Sequence, residues 1–347
     1  MIESQLTVRE LAASEETTWD SFAARAMGST FFHQARWRQI LTEKLGKRSF
    51  YRCAWRNGSL VGILPLTEIR SRLFGHSLIS PGFGICGGIV AADHDVRQAL
   101  ATDAAHLGQS LGVDYVELRH EQSQDIGWLT PDPRFFVFRR KLAATTDENM
   151  KAIPRKKRAD LRKALANSGL RVEHGQDFDA FFHLYSISLR NLGTPILPRS
   201  YYSAVMSTFG SQVEISIVHG PKYPVAAVMS FHWKDCVYPY YGGALPEARA
   251  LHAYDLLYWS VMCKAVELGM KTFDFGRSRA GSSAFDYKSF WGFSPTPLCY
   301  QYHLGASGSL PHNSPDNPKF RLFIEGWKRF PLPFANAMGP LLARQLG

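Results

Sequence analysis

The densest group of residues able to do chemistry lies at 273–292, FDFGRSRAGSSAFDYKSFWG. Asp274 stands between two phenylalanines near the end of a predicted strand, and alternation directs its carboxylate away from both rings. Lys288 stands among aromatic residues. Lost hydration there would lower the pKa of its ammonium group; the other possibility is that the ammonium group pairs with a phosphate or carboxylate of the substrate. Lys288 and Asp274 are therefore the catalytic candidates. The alternative is an aromatic turn from which Lys288 reaches solvent.

A second chemical feature is the basic segment 151–163, KAIPRKKRADLRK, which has seven Lys/Arg and a single acidic residue. Pro154 suits the first turn of a helix. Arg155, Arg158 and Arg162 then follow at a spacing that places them on one helix face. Because carboxylate partners are nearly absent, we expect this face to bind a polyanion: phosphate, RNA or a membrane surface. A solvated basic helix is the alternative.

The net charge of +10 is concentrated in two places. The segment 151–163 contributes +6, and the tail 319–347 contributes +4 through five Lys/Arg against one Glu. The rest of the chain is balanced, so a protein that is basic over its whole surface is excluded. With 45% hydrophobic and 20% charged residues, disorder, collagen and coiled coil are also excluded for most of the chain.

The cysteines and the first residues of the sequence indicate a reducing compartment. The five cysteines are scattered, without a CxxC pair or a His cluster at metal-ligand spacing, so no metal site and no disulfide framework are expected. The first residues, MIESQLTVRE, have no basic and apolar signal pattern. The longest stretch free of both charged residues and histidine, 77–92, is too short to span a bilayer. We expect a soluble cytoplasmic protein.

The organisation along the chain indicates an internal duplication. Each half shows a helix, a β-hairpin, a strand ending in Gly-Gly, a further helix and a strand, with the clearest helix predicted at 254–267 and ended by Gly269. We predict domains at 1–148 and 149–318, followed by a basic aromatic tail at 319–347. The fold class is α/β (α+β), built from two similar layers.

Several nucleotide-binding and hydrolase motifs are excluded. Residues 82–87, GFGICG, formally match GxGxxG, but the match does not open a helix directly as a dinucleotide fingerprint must. The sequence contains no Walker A, GxSxG or HExxH motif.

Three motifs resemble the FemAB family, the aminoacyltransferases that build peptidoglycan cross-bridges with two tandem GNAT-like domains. The pattern DFGRS, a Gly/Ser loop and F-x-Y-K-x-x-W-G is similar to the family's closing motif. RKKRADLRKA followed by Ser168-Gly169 resembles the start of its second domain, and Arg190 with Pro198 and Tyr201 resembles its R-x-G-x-P…Y element. More weakly, FHQxxW at 32–37 resembles N-x-x-Q-x-x-W. The FemAB-like proteins associated with exosortase and exopolysaccharide systems are the most similar subgroup.

The resemblance implies two GNAT-like domains, each a mixed, mainly antiparallel sheet flanked by helices, and N-acyl transfer to an amine of a cell-envelope precursor or exopolysaccharide. It implies that Lys288 contacts the donor or acceptor and that Arg190 binds the acceptor's phosphates. Asp274 is a candidate to accept the amine's proton. The other predicted substrate-binding residues are Tyr201, Tyr241, Arg249, Arg277, Tyr287 and Trp291.

The donor is left open between aminoacyl-tRNA and acyl-CoA, and no permanently bound cofactor is expected. The stretch 245–250 lacks the Gly-rich turn of acetyl-CoA enzymes, which weakens the acyl-CoA alternative. A further alternative is a non-catalytic GNAT-like scaffold held at the inner membrane face by its basic aromatic tail. The oligomeric state is left open.

Overall fold

The computed structural model describes residues 5–71, 75–306 and 318–345, with side chains from residue 322 onward in the last range. The chain forms two compact units. Unit 1 comprises Met1–Pro133, Pro297–Ser314 and Leu341–Gly347, and unit 2 comprises Arg134–Thr296 and Pro315–Pro340.

Strands and helices are mixed along the chain, as the sequence predicts. The strands are β1 (Leu6–Glu10), β2 (Ser49–Arg56), β3 (Ser59–Ser71), β4 (Gly75–Ser80), β5 (Val90–Ala91), β6 (Tyr115–His120), β7 (Phe135–Lys141), β8 (Arg171–Gly175), β9 (Val213–His219), β10 (Pro224–Trp233), β11 (Cys236–Ala244), β12 (Thr272–Arg279), β13 (Pro295–Pro297) and β14 (Cys299–Leu304). The helices are α1 (Glu16–Arg25), α2 (Ala35–Leu45), α3 (His94–Leu111), α4 (Thr146–Ala152), α5 (Arg155–Ala166), α6 (Phe178–Leu192), α7 (Arg199–Phe209), α8 (Ala253–Glu267), α9 (Ser283–Phe290), α10 (Pro318–Trp327) and α11 (Leu332–Ala343).

Unit 1 contains a mixed sheet in the order β1-β2-β3-β4-β6-β14, with β5 paired to β3. Its neighbours are antiparallel except for β4 and β6, which run parallel from Ser77↔Tyr115 to Ser80↔Leu118. Helix α3 is capped by the Asp93 side chain and packs its apolar residues into the core of this sheet.

Unit 2 contains a second mixed sheet in the order β13-β7-β12-β11-β10-β9-β8. Helix α8 has buried residues in every turn and lies in the core with α5, whose Leu161 and Ala164 are buried against it. The predicted helix at 254–267 is confirmed, and Gly269 follows it with φ +73°, the left-handed conformation that favours glycine. The predicted fold class, two similar α/β layers, is confirmed.

The division of the chain differs from the predicted boundary at 148/149 because two strands are exchanged between the sheets. β7 follows β6 along the chain but pairs with β12 in the second sheet. β14 follows the second sheet's last strands but pairs with β6 in the first. Register pairing between distant segments is decided by tertiary contacts, so the periodicity of each strand alone could not reveal the exchange.

The C-terminal segment is also more integrated than the predicted tail 319–347. Residues up to Pro340 belong to unit 2, and Trp327 and Ala335 are buried. At Gly193 a Cβ would lie 2.4 Å from the Ile324 side chain, so α10 packs directly on the end of α6. The side chains of 319–321, part of the predicted basic aromatic tail, lie outside the described residues, as do 346 and 347.

Candidate active site

The central feature of unit 2 is an opening between two parallel strands. β11 and β12 are in register only at Cys236↔Thr272 and Val237↔Phe273. β11 then reaches Pro239, which has no N–H to donate to a ladder. Both strands are irregular at this point: the β10–β11 register shifts between Met229 and Ser230, and the β12–β7 register shifts between Asp274 and Arg277. The strands therefore separate where the sequence places its candidate chemistry.

Asp274 lies at this point of separation and is 3% exposed. Its Oδ2 accepts hydrogen bonds from Arg139 Nη2 at 2.7 Å and Nε at 3.0 Å, while Oδ1 accepts one from the Gly276 amide at 2.7 Å. Gly276 has φ +71°, which this tight turn requires. These contacts stabilise the ionised carboxylate and hold the bend of β12. The role of Asp274 as a proton acceptor stays a prediction.

Lys288 extends from α9 to the same bend. Its Nζ donates to the carbonyl oxygens of Gly276 at 3.1 Å and Arg277 at 3.0 Å, and it lies 5.7 Å from the ring centroid of Phe138. Burial lowers the pKa of Lys288 to about 8, although the nearby charge of Asp274 opposes the shift. The ammonium group is thus held against the strand rather than extended into solvent.

A buried polar network connects the basic helix to α8 and α9. Asp255, in the first turn of α8, accepts a hydrogen bond from Tyr287 Oη at 2.7 Å, and the same Oδ1 is paired with Lys157 Nζ. Lys157 Nζ also lies 4.4 Å from the ring centroid of Tyr287, and His252 Nδ1 lies 3.6 Å from Asp255 Oδ2. Burial raises the pKa of Tyr287 well above its usual value.

Lys157 and Asp255 were not predicted from the sequence, where only the three arginines of α5 were singled out. The available signal was spacing: Lys157 precedes the apolar residues Leu161 and Ala164 by four and seven positions, so it lies on the buried face. A lysine on such a face requires an acidic partner. The first-turn aspartate of α8 supplies it.

The arginines of α5 differ in their surroundings. Arg155 and Arg162 are exposed, whereas Arg158 is partly buried and donates to the carbonyl oxygen of Lys151 at 3.3 Å. Arg249 is exposed at the end of the short helical turn that precedes α8. Polyanion binding by these residues stays a prediction.

Two other predicted substrate-binding residues lie close to the Lys288 bend. Trp291 is fully buried, with ring centroids 5.9 Å from Phe275 and 6.5 Å from Tyr287. The guanidinium of Arg277 lies 4.6 Å from the ring centroid of Phe135. Trp291 therefore supports the aromatic packing beneath α9, and Arg277 lies in β12 one residue after Gly276, where the strand pairs again with β7 at Val137.

The remaining predicted residues are engaged elsewhere in unit 2. Arg190, at the end of α6, donates from Nη1 to the carbonyl oxygen of Phe330 at 3.0 Å. Tyr201 and Tyr241 are buried, and their hydroxyl oxygens are 3.0 Å apart. Burial raises the pKa of both well above the usual value. Acceptor binding by Arg190 and substrate binding by Tyr201 and Tyr241 stay predictions.

In unit 1 the FHQxxW motif and the glycine-rich stretch 82–88 form a packed structure. Thr30 Oγ1 donates to the Cys86 carbonyl at 2.5 Å, Trp37 Nε1 to the Gly82 carbonyl at 3.1 Å, and Arg119 Nη1 to the Gly84 carbonyl at 2.8 Å. A Cβ on Gly88 would lie 2.2 Å from the His120 ring. These glycines are needed for close packing, in agreement with the exclusion of a dinucleotide fingerprint.

Neither a metal-ligand cluster nor a membrane-crossing helix is found in the described part of the chain. Within residues 5–71, 75–306 and 318–345, no cluster of three or more His, Cys, Asp or Glu side chains has an arrangement that could hold a metal ion. Across the same part of the chain, no helix combines the length and apolar character needed to cross a membrane.

Comparison with known proteins relates this geometry to a family. Residues 154–289 match the family described as acetyltransferase (GNAT) domain. The matched segment runs from the start of α5 through Lys288, so it contains the opening between β11 and β12. No curated protein has a sequence that matches the chain.

Solved structures with a similar fold extend over most of the chain. A crystal structure of FemX has a TM-score of 0.66 at 14% identity, covering 86% of this chain and 97% of that one. A tandem GNAT protein from the clavulanic acid biosynthesis pathway has a TM-score of 0.57 at 11% identity, covering 88% and 100%. The C-terminal domain of a putative lysylphosphatidylglycerol synthetase from Agrobacterium fabrum has a TM-score of 0.55 at 14% identity, covering 85% and 93%. The chain therefore has a tandem GNAT-like fold similar to that of FemX, with the GNAT domain match in its second half.

Proposed function

We propose that the protein is an N-acyltransferase whose reaction takes place at the opening between β11 and β12. The observation that carries the proposal is Lys288, held at the carbonyls of Gly276 and Arg277 where the two parallel strands separate. An ammonium group has three N–H donors. Because two are directed at these carbonyls, the direction of the third is fixed, and it is suited to stabilise a developing oxyanion.

In the proposed reaction, the amine nitrogen of the acceptor attacks the donor's acyl carbonyl carbon. A C–N bond forms, and the C–O or C–S bond to the carrier breaks through a tetrahedral intermediate. The proton that the amine loses passes, directly or through water, to the leaving oxygen or sulfur, so the transfer is proton-neutral overall. Lys288 stabilises the intermediate's negative oxygen, while Asp274 keeps the bend of β12 in place through its bonds to Arg139 and Gly276.

For the donor we favour an aminoacyl-tRNA. The N-terminus of α8, where a donor phosphate would bind, is occupied by the Asp255 carboxylate and its partners Lys157 and Tyr287. Exposed Arg155 and Arg162 on α5 offer guanidinium groups to an RNA backbone instead. The resemblance of RKKRADLRKA and of the Lys288 motif to the FemAB aminoacyltransferases supports the same choice. For the acceptor we propose an amine on a cell-envelope precursor or exopolysaccharide; the exosortase association stays a prediction.

The second candidate is an acyl-CoA-dependent enzyme of polysaccharide biosynthesis, which is favoured by the GNAT family match over 154–289. One experiment separates the two donors. Purified protein is mixed with a labelled aminoacyl-tRNA or with acyl-CoA and an amino-sugar or muropeptide acceptor, with and without ribonuclease. Transfer that ribonuclease abolishes supports the tRNA donor. Transfer from acyl-CoA alone selects the second candidate, and no transfer from either donor supports a non-catalytic scaffold.

RNA binding itself has a quantitative signature. If about six phosphates of a single-stranded acceptor end are neutralised, the logarithm of the association constant falls with log salt at a slope near −4. Arg155→Gln with Arg162→Gln should reduce this slope by about one to two. Lys271→Gln, which removes an exposed lysine from another part of unit 2, is the matched control. A slope near zero in the unmodified protein would exclude tRNA as the donor.

A further inference from the structure

The C-terminal segment carries a line of large apolar side chains that face outward. We define the aromatic stripe as Phe323, Trp327, Phe330, Phe334 and Met338. The first four form a continuous series of ring contacts, with centroid distances of 5.5, 5.7 and 4.7 Å between successive members. Trp327 is buried beneath its neighbours, whereas the other four are between 37% and 46% exposed. A group of exposed apolar side chains packed around a buried ring in this way marks an interaction surface.

The opposite side of the same segment is fixed to unit 2. Ile324 packs against Gly193, where an added Cβ would meet it at 2.4 Å, and a Cβ on Gly339 would lie 2.9 Å from the carbonyl oxygen of Ile196. Arg190 Nη1 donates to the Phe330 carbonyl at 3.0 Å. The exposed rings are therefore the outer face of a segment anchored on its inner face, and not the side chains of an unattached end.

The charge around the stripe selects its partner. Lys328 and Arg329 stand in the turn between α10 and α11, where Lys328 pairs with Glu325 at 2.6 Å. In sequence, the whole segment 319–347 has five Lys/Arg against that single Glu. A second copy of the chain would bring the same positive charge to the same face and be repelled. Anionic lipid headgroups over an apolar interior match both the charge and the exposed rings.

We propose that the aromatic stripe docks the protein on the surface of an anionic bilayer, with the rings at the boundary of headgroups and acyl chains and the basic turn among the headgroups. Interfacial segments of this type lie in the plane of the membrane. The proposal does not depend on acyl transfer. If transfer takes place, α6, which carries Arg190, lies directly beneath the docking segment and therefore close to a lipid-linked acceptor.

The test is co-sedimentation of the full chain with vesicles of phosphatidylcholine, alone or mixed equally with phosphatidylglycerol. Binding to the anionic vesicles should be at least about fivefold tighter, since each basic residue near the surface contributes roughly that factor. Phe334→Glu places a charge in the stripe and should weaken binding by about tenfold or more. Met27→Glu, an equal change at a 93% exposed residue outside the stripe, should leave binding unchanged.

Phe330→Glu serves as an independent second variant, since its backbone carbonyl still accepts from Arg190. Both stripe variants are compared with the unmodified protein by thermal unfolding, so that lost binding is scored only in folded protein. Equal binding to neutral and anionic vesicles, or full binding by both stripe variants, would overturn the proposal. A dimer in sedimentation velocity that Phe334→Glu converts to monomer would also overturn it and identify the stripe as a self-association face.

Discussion

Both sheets contain a parallel strand pair, β4 with β6 in unit 1 and β11 with β12 in unit 2, and the two pairs differ in how far they are joined. In unit 1, β4 and β6 are paired over four successive positions, from Ser77↔Tyr115 to Ser80↔Leu118. In unit 2, β11 and β12 are paired over two and then separate. The same order of neighbouring strands therefore produces a closed pair in one half and an open pair in the other.

The physical reasons lie in the residues at the end of each pair. Beyond β4, the chain's glycine-rich stretch is held by donors from Thr30, Trp37 and Arg119 to its carbonyl oxygens. Beyond Val237 and Phe273, two register shifts turn β11 and β12 away from each other, and Lys288 holds the bend from α9. We infer that the closed pair is structural and the open pair is the reaction site.

The largest loss of stability is expected at Arg119, which follows the paired residues of β6 in the closed pair. Its guanidinium is buried, pairs with Glu117 at 2.6 Å and donates to the Gly84 carbonyl. Arg119→Met leaves the Glu117 carboxylate buried and uncompensated, which should lower the free energy of unfolding by about 3–5 kcal/mol. Urea denaturation measures the loss. The double variant Glu117→Gln with Arg119→Met should recover part of it, and activity per folded molecule should be unchanged in both.

Lys288→Met, at the open pair, should reduce turnover and leave stability nearly unchanged, the reverse of what Arg119→Met should do. Removing one preorganised donor to an oxyanion reduces turnover by about 100- to 1,000-fold. The melting temperature should hardly change, because the methionine stem retains the packing against Phe138. Transfer assays and thermal unfolding measure the two quantities, with Lys271→Met as the control at an exposed lysine. A large melting shift with retained turnover would make Lys288 a core residue and end the contrast between the two pairs.

Tyr287→Phe tests the network that anchors α9. It removes the 2.7 Å hydrogen bond to the buried Asp255 carboxylate, and the expected loss of stability is about 1.5 kcal/mol. Tyr223→Phe removes a similar bond, 2.9 Å long, to the exposed Glu247, and should cost much less because water replaces the donor. Equal losses in the two variants, measured by urea unfolding, would contradict a special role for the buried network.

The smallest expected effect is a pH dependence at Lys288. Because the folded-state pKa is lowered to about 8 from its usual 10.5, the unfolded chain binds more protons between these values. The free energy of unfolding should therefore rise with pH in that window relative to Lys288→Met, by less than about 1.4 kcal/mol per pH unit for one proton. Below pH 8 the difference between the two proteins should level off. If the free energies of unfolding of the unmodified protein and of Lys288→Met change in parallel from pH 8 to 10.5, the pKa of Lys288 is not lowered.

The local features of the second half could be read from its sequence. The periodicity of 254–267 and Gly269 predicts α8 and its end, and the Lys288 motif predicts the segment that forms the bend. Helix periodicity, capping and turn residues depend on neighbours close in the chain, so they are visible there. The pairing of Lys157 with Asp255 is not visible in the sequence, since it joins residues almost one hundred positions apart.

The sequence by itself determined two α/β halves, a basic helix and a chemical segment around Lys288. Only the tertiary structure decided which strand belongs to which sheet, since β7 and β14 are exchanged, and only it opened β11 from β12. It also placed Tyr201 and Tyr241 in a buried cluster and turned the C-terminal segment into an anchored, outward-facing stripe. Such outcomes follow from contacts between distant residues, whose energies depend on shape and burial that no local pattern records.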